Sequence, residues 1–169
     1  QNKYSYVLFD AQGRPIQTGQ TVKTLPPNET TELKVNDYGT AFTAWVTSGT
    51  RSEVTVTQYD KALSAAVQAK FVTGTQDNLR LRVASILYFA TVSGSTNWSV
   101  DYETATHYSY DIHGNVKEQI QDVPMLALVG QTNKSTQYEY ELVSGNVNKI
   151  VYQKDKADQI THKYKYDKL

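Results

Sequence analysis

The 169-residue sequence contains no cysteine, which excludes a disulfide framework and any thiol or metal site built on cysteine. It has no excess of charge either. Its 17 basic and 17 acidic residues give a formal net charge of zero, so no long-range field attracts the chain to nucleic acid or to an anionic membrane. No apolar run approaches the roughly 20 residues that a membrane-spanning helix needs. We therefore expect no nucleic-acid partner and no membrane span, while the lack of cysteine leaves the cellular compartment open.

Tyrosine, in contrast, is abundant, with 13 residues. Aromatic and β-branched side chains suit the pleated, half-buried surface of a β-sheet. Between residues 53 and 59, valines alternate with threonines, which is the period-two pattern of a strand whose two faces differ. A chain of this length can bury a core of its own. The composition therefore predicts the all-β class.

A short motif recurs along the chain: a Tyr-x-Tyr-Asp-like strand end, then a turn, then a second strand. The clearest copy spans residues 108–116, a second spans 138–147, and its opening returns at 164–167. A looser copy spans 6–14, and residues 58–60 supply a fragment of another. Because one hairpin cannot bury its apolar face alone, repeated hairpins must stack on their neighbours to form a continuous core.

The residue types of the motif have structural reasons. Alternation places Tyr108 and Tyr110 on one face of a strand, where aromatic cross-strand pairs contribute about 0.2–1 kcal/mol each. Asp111 can accept backbone N–H bonds within the turn, and Gly114 can adopt a positive φ. Glu141 departs from the pattern and predicts a wider turn. The residues predicted to build the motif are Tyr108, Tyr110, Asp111, Gly114, Tyr138, Tyr140, Gly145, Tyr164, Tyr166 and Asp167.

The remaining chain also divides into predicted elements. Residues 61–71 predict a loop or short helix, and residues 122–130 predict a short helix or a core-covering loop, because Pro124 and Gly130 are helix start and stop signals. The other patterns predict strands at 3–9, 14–17, 33–35, 41–47, 53–59, 79–91, 105–112, 115–121, 136–143, 146–153 and 160–167, with a turn at 36–39 and a hairpin formed by 41–47 and 53–59.

The motif resembles the YD-repeat family, also called RHS repeats, most strongly at Ala105 to Lys117, at Tyr138 to Val147 and at Lys163 to Asp167. The resemblance implies consecutive antiparallel β-hairpins in a curved, spiralling sheet, a segment of a hollow shell with at most one or two short helices. It treats residues 1–169 as a single segment of a longer array, with the clearest repeats at 105–169, because Tyr164 to Asp167 open a unit without its return strand.

The resemblance also implies a role. Members of this family are secreted or displayed on the cell surface, and many enclose or present an effector domain such as a toxin. The implied partners are the rest of the repeat array, an enclosed effector domain and secretion machinery, with no cofactor. Self-cleaving members carry an Asp-Pro signature, which is absent from this sequence, so autoproteolysis is not assigned here.

Other interpretations would assign a metal-binding, catalytic or ligand-binding role to particular residues. The histidines His107, His113 and His162 lack metal-ligand spacing, so we expect turn or surface positions. The carboxylates Asp101, Glu103, Asp111 and Glu118 are expected on a solvated face or as turn caps, and no catalytic, metal or cofactor site is predicted. Trp45 is expected in the core. As the alternative function, a surface adhesin would bind glycan or protein through exposed loop aromatics, Trp98 and Tyr102.

Overall fold

The computed structural model describes residues 2–23 and 40–167. Within them, nine antiparallel strands form one sheet whose strand order follows the chain, together with two short α-helices and one 3-10 helix. The strands are β1 (Asn2–Phe9), β2 (Pro15–Lys23), β3 (Arg51–Tyr59), β4 (Val83–Val92), β5 (Thr104–Tyr110), β6 (Val116–Asp122), β7 (Asn133–Tyr140), β8 (Val147–Tyr152) and β9 (Ile160–Lys163). The helices are α1 (Thr40–Thr47), α2 (Ala65–Gln68) and the 3-10 helix Pro124–Val129. The all-β class is confirmed, with one more helical segment than the resemblance implied.

The chain divides into two compact units. The first comprises Gln1–Thr57 with Leu87–Glu103, and the second comprises Gln58–Ile86 with Thr104–Leu169. The first contains a core cluster of Tyr6, Leu8 and Val46. The second contains two clusters, one of Val67, Phe71 and Ile120 and the other of Leu79, Ala84 and Tyr110. No helix in the described ranges is long and apolar enough to cross a membrane.

The predicted strand at 41–47 is wrong, because these residues form the helix α1. A period of 3.6 residues places Phe42, Trp45 and Val46 on one side of this helix, where they pack with the cluster that contains Tyr6 and Leu8. Val46 is fully buried there. The core position predicted for Trp45 is confirmed, but β3 pairs with β2 instead of forming a hairpin with 41–47.

The strand predicted at 79–91 is also shorter at its start, since β4 begins at Val83. Leu81 has a φ of +59° and is exposed, while Leu79 is buried in a core cluster. The alternation of Leu79, Leu81 and Val83 therefore reflects a turn and not a strand. The strand predicted at 33–35 and the turn at 36–39 lie outside the described residues.

The predicted hairpins of the second unit are confirmed. Strand β5 pairs with β6, β7 with β8, and β8 with β9, although β9 ends at Lys163, earlier than predicted. Segment 61–71 contains α2, capped by the Ser64 side chain. The 3-10 helix begins at Pro124 and ends at Gly130 with a φ of +66°, as its start and stop signals predict. None of its residues is buried, so it does not cover a core.

Candidate functional site: a repeated turn and a tyrosine clamp

The turn after β5 is held by the Asp111 carboxylate. Its Oδ1 accepts hydrogen bonds from the backbone N–H groups of His113 and Asn115, both at 2.9 Å, and its Oδ2 accepts one from the Asn115 side chain at 3.0 Å. The Asp111 N–H donates to the carbonyl of Asn115, and Gly114 has a φ of +96°. Burial raises the pKa of Asp111, but these hydrogen bonds outweigh it and hold the pKa below its ordinary value. Both turn predictions, for Asp111 and for Gly114, are confirmed.

The looser copy near the start of the chain forms the same turn. Asp10 Oδ1 accepts from the N–H groups of Gln12 and Arg14 at 2.9 Å, and Arg14 Nε donates to Oδ2 at 2.7 Å. The Asp10 N–H donates to the Arg14 carbonyl at 3.0 Å, and Gly13 has a φ of +76°. Two segments that share little sequence beyond the aspartate and the glycine therefore adopt one geometry.

The copy at Glu141 is one residue wider, as predicted. Its N–H donates to the Asn146 carbonyl at 2.8 Å, and Gly145 donates to the Glu141 carbonyl at 2.9 Å. The Ser144 hydroxyl contacts the Glu141 carboxylate and accepts from the Asn146 N–H at 3.2 Å. Ser144 thus bridges the Glu141 carboxylate and the backbone that leads into the return strand. In the shorter turn, the Asp111 carboxylate binds the corresponding backbone directly.

A further copy is interrupted by a long excursion, which we define as residues 61–81. The Asp60 N–H donates to the Arg82 carbonyl at 3.1 Å, and the Leu81 N–H donates to Asp60 Oδ1 at 2.6 Å. Asp60 and Arg82 therefore hold the positions that Asp111 and Asn115 hold in the short turn. The fragment Gln58-Tyr59-Asp60 was the sequence signal, but the separation of its two halves hid the hairpin.

The second tyrosine of each motif joins its hairpin to the one before it. In three copies of the motif, its hydroxyl donates to the backbone carbonyl of a valine that begins a preceding return strand. We call this contact the tyrosine clamp. The pairs are Tyr110 with Val83 at 2.7 Å, Tyr140 with Val116 at 2.9 Å and Tyr166 with Val147 at 2.9 Å. Burial raises the pKa of Tyr110 and of Tyr140, so both hydroxyls remain protonated donors at neutral pH.

The first tyrosine of the motif stacks on the second, within its own strand. The ring centroids of Tyr108 and Tyr110 lie 6.4 Å apart at an interplanar angle of 29°, and those of Tyr138 and Tyr140 lie 6.4 Å apart at 20°. The prediction that each pair shares one face is confirmed. Tyr164 and Tyr166 remain about half exposed.

The excursion 61–81 packs on the strands that follow it. Its side chains Val67 and Phe71 contact Ile120 of β6. Its Gln76 amide donates to the carbonyls of Ala84 at 2.8 Å and Tyr108 at 2.9 Å. The next two residues continue this attachment along β5: the Asp77 backbone exchanges hydrogen bonds with the Ser109 hydroxyl and the Tyr110 N–H, and the Asn78 amide donates to the Tyr110 carbonyl. The excursion is therefore packed and hydrogen-bonded against the sheet and is not a free loop.

The surface position predicted for His107 is wrong, because this side chain is fully buried in β5. Its Nδ1 lies 2.7 Å from Ser85 Oγ, and its Nε2 lies 3.6 Å from Asp122 Oδ2. Strand alternation places position 107 on the same buried face as Ala105 and Ser109. Serine, histidine and aspartate follow one another as in a hydrolase triad, but Ser85 is also fully buried, so no substrate can reach its hydroxyl. His113 and His162 are exposed, as predicted.

The expectation for the carboxylates holds for three of the four. Asp111 caps its turn, Asp101 accepts from the Asn97 N–H at 2.6 Å, and Glu103 accepts from the Ala90 N–H at 2.9 Å. Glu118 is different, since only 4% of it is exposed. It accepts from the Val72 N–H at 3.3 Å and from the Gln137 amide at 3.5 Å. The predicted solvated position of Glu118 is therefore wrong, because β6 alternation turns it toward the excursion.

Replacing Glu118 with glutamine is expected to change how stability depends on pH. Burial raises the pKa of Glu118 above its ordinary 4.5, so the folded state holds this proton more tightly than the unfolded state. The wild-type free energy of unfolding should therefore fall as the pH rises through that window, and Glu118→Gln should remove this fall and be the more stable protein at neutral pH. Urea unfolding at a series of pH values measures it, with the exposed Glu139→Gln as control. If Glu118→Gln is less stable than the wild type by the same amount at every pH, this explanation of the pH dependence is wrong.

The two aromatic residues considered as ligand contacts occupy different environments. Tyr102 is buried, with 6% exposed, so the expectation of an exposed loop residue is wrong for it. Trp98 is half-buried: its ring meets Phe89 edge-on at 5.0 Å, and the Arg51 guanidinium lies 5.5 Å from the ring centroid. Both side chains are thus engaged in packing, Tyr102 by its burial and Trp98 by its contacts with Phe89 and Arg51.

A turn-lined hollow lies beside the hairpin ends of the second unit. About 410 Å³ in volume, it is bounded by the turns that follow β5 and β7 and by Tyr138 and Tyr140. Leu142 and Val143, at its margin, are almost fully exposed. Within the described ranges, no group of three or more His, Asp or Glu side chains is arranged to hold a metal ion.

A scan against family models finds no match for this chain, and neither a curated protein nor a solved structure matches it. The YD-repeat resemblance therefore stays a prediction from the motif residues. What the structure adds is the repeated geometry: an acidic residue that closes each turn and a tyrosine that reaches the preceding hairpin.

Proposed function

We propose that this chain is a non-enzymatic structural segment of a secreted or cell-surface hairpin-repeat protein of the YD-repeat type, which walls off or presents an effector domain. The observation that supports it most is the tyrosine clamp. Each second tyrosine bonds a carbonyl of the preceding hairpin, so successive hairpins are ordered by their neighbours. Such an arrangement suits an extended wall better than a catalytic cleft.

The buried polar groups support the same reading. Ser85 and His107 are sealed inside the second unit, and Glu118 is engaged by the excursion. Ser85 and His107 hydrogen-bond each other between β4 and β5, and Glu118 accepts hydrogen bonds from the excursion and from β7, so these groups help to fix neighbouring segments in place. They offer no group to a substrate. The partners in this proposal are the rest of a repeat array, an enclosed effector domain and secretion machinery.

Limited proteolysis of the complete polypeptide that contains this segment tests the proposal. We expect an effector domain within that polypeptide to resist protease for longer than the same domain prepared alone. The double variant Tyr110→Phe with Tyr140→Phe, which weakens the wall without touching the effector, should shorten that protection. An effector digested as fast inside the polypeptide as when free would contradict the proposal.

The adhesin reading predicts a different result. Reproducible binding of the 169-residue chain to a glycan array, lost in Trp98→Ala and kept in Tyr164→Ala, would favour it over the wall. Tyr164 is a suitable control because it is an exposed aromatic residue. The burial of Tyr102 and the packing of Trp98 lead us to expect no such binding.

A further inference from the structure

Lys70 and Asp122 form an unusually sheltered ion pair. Lys70 belongs to the excursion 61–81, just after α2, and Asp122 is the last residue of β6. The Lys70 ammonium is in direct contact with Asp122 Oδ2 and donates to Asn133 Oδ1 at 3.1 Å. Only 1% of the Asp122 side chain and 22% of the Lys70 side chain are exposed. The lysine nitrogen and the aspartate carboxyl group are thus in contact, and the carboxyl group is shielded from bulk water.

The surroundings of the pair are both apolar and polar. Phe71, next to Lys70, packs with Ile120, which shares the buried face of β6 with Asp122. On the other side, His107 Nε2 lies 3.6 Å from the same Asp122 Oδ2 that Lys70 contacts, and Ser85 holds the opposite ring nitrogen. Two groups able to carry protons therefore converge on one carboxylate oxygen.

Two other lysine–aspartate pairs of this unit show what distinguishes this site. Lys117 lies 3.2 Å from Asp77, and Lys134 lies 2.7 Å from Asp158. In both, the aspartate side chain is at least one-third exposed. Water solvates those carboxylates, whereas a buried ion pair is poorly solvated and is favoured less over its neutral form. Among these three pairs, only the Lys70 pair combines direct contact with an aspartate side chain that is almost fully buried.

We propose that Lys70 and Asp122 join covalently, as an amide between the lysine Nζ and the aspartate Cγ. The ammonium gives one proton to the carboxylate, and the neutral amine attacks Cγ, forming the C–N bond. Oδ2 takes a second amine proton, the Cγ–Oδ2 bond breaks, and water leaves. Ammonium and carboxylate thus become amide and water with no oxidant, reductant or other reactant. Burial of the Asp122 side chain limits the access of water to the acyl carbon and disfavours the reverse hydrolysis.

This bond would tie together segments 52 residues apart in a chain that has no cysteine for a disulfide. It would fix the excursion to the end of β6. A hollow of about 440 Å³, lined by Lys70, Asn133 and Ser135 among others, lies beside the pair and gives the released water a way out. The Asn133 amide oxygen orients the attacking nitrogen.

Intact-mass measurement of the denatured full chain tests the proposal. We expect the wild-type mass to be lower than the sequence mass by one water, and a protease digest to contain one branched peptide that joins Lys70 to Asp122. The variants Lys70→Arg and Asp122→Ala should each have their full sequence mass. The control Lys117→Arg, which alters an exposed pair, should keep the loss.

Two results would overturn the proposal. One is a folded wild-type protein that retains its full sequence mass, a result that does not depend on whether any variant folds. The other is the loss of one ammonia in place of water, abolished by Asn133→Ala, because the acceptor would then be the asparagine amide.

Discussion

Replacing Phe71 with alanine is expected to lower the free energy of unfolding by about 3–5 kcal/mol. Only 3% of Phe71 is exposed, and it forms a core cluster with Val67 and Ile120. This cluster is one of two apolar attachments of the excursion 61–81 to the sheet, the other being the cluster of Leu79, Ala84 and Tyr110. Removing the ring leaves a cavity and takes dispersion contacts from Ile120, which is itself fully buried.

Chemical unfolding followed by fluorescence measures this loss, with Val72→Ala as the matched control. Val72 is the next residue and is 69% exposed, so its truncation should change stability by no more than about 0.5 kcal/mol. If the two variants lose similar amounts, the excursion does not pack on β6 as described, and the core of the second unit is wrongly placed.

Replacing Gly114 with valine is expected to cost about 2 kcal/mol, a fall in melting temperature of roughly 4–8 °C for a chain of this size. Gly114 has a φ of +96°, which a β-branched residue adopts only under strain. An added Cβ would also lie 2.5 Å from the Arg82 guanidinium. That guanidinium donates to the Asn78 carbonyl at 2.7 Å and lies 5.5 Å from the Tyr110 ring centroid, so displacing it loses contacts as well.

Two further glycines separate the causes. Gly13 has a φ of +76° but open space around its Cβ position, so Gly13→Val should show the backbone strain alone. Gly94 has open space and no positive φ, so Gly94→Val should be nearly neutral. Thermal unfolding of the three variants should rank them with Gly114→Val the least stable. Equal stability of Gly114→Val and Gly94→Val would mean that the turn is wrongly assigned.

The turns and hairpins of the motif were predictable from sequence because their causes are local. An aspartate that accepts bonds within four residues and a glycine at the left-handed position can be read from adjacent letters. The wider turn at Glu141 followed from the same reasoning. The turn that begins at Asp60 was not predicted, because its partner Arg82 lies beyond a long insertion and no local sequence pattern connects the two residues.

The mistaken elements show where short patterns are ambiguous. The pattern of apolar residues in 41–47 is compatible with a strand and with a helix. The packing of Val46 in the core cluster with Tyr6 and Leu8 favours the helix. Leu79, Leu81 and Val83 alternate like a strand, yet the Asp60 side chain holds a turn there. In both cases tertiary contacts override a pattern of a few residues.

The buried network around His107 was not predictable at all. Its members come from the excursion and three strands, so neither spacing nor composition brings them together. The tyrosine clamp was hidden for a related reason. Alternation predicts the face on which a ring lies, but the carbonyl that its hydroxyl reaches belongs to another hairpin.

The tyrosine clamp is tested most directly by comparing Tyr140→Phe with Tyr138→Phe in equilibrium unfolding. The Tyr140 hydroxyl donates to the Val116 carbonyl at 2.9 Å, whereas the Tyr138 hydroxyl makes no hydrogen bond within the described part of the chain. Both substitutions keep the stacked rings and remove one oxygen. We predict that Tyr140→Phe lowers the free energy of unfolding by about 1 kcal/mol and that Tyr138→Phe leaves it nearly unchanged. Equal stabilities of the two variants would contradict the claim that tyrosine hydroxyls join successive hairpins.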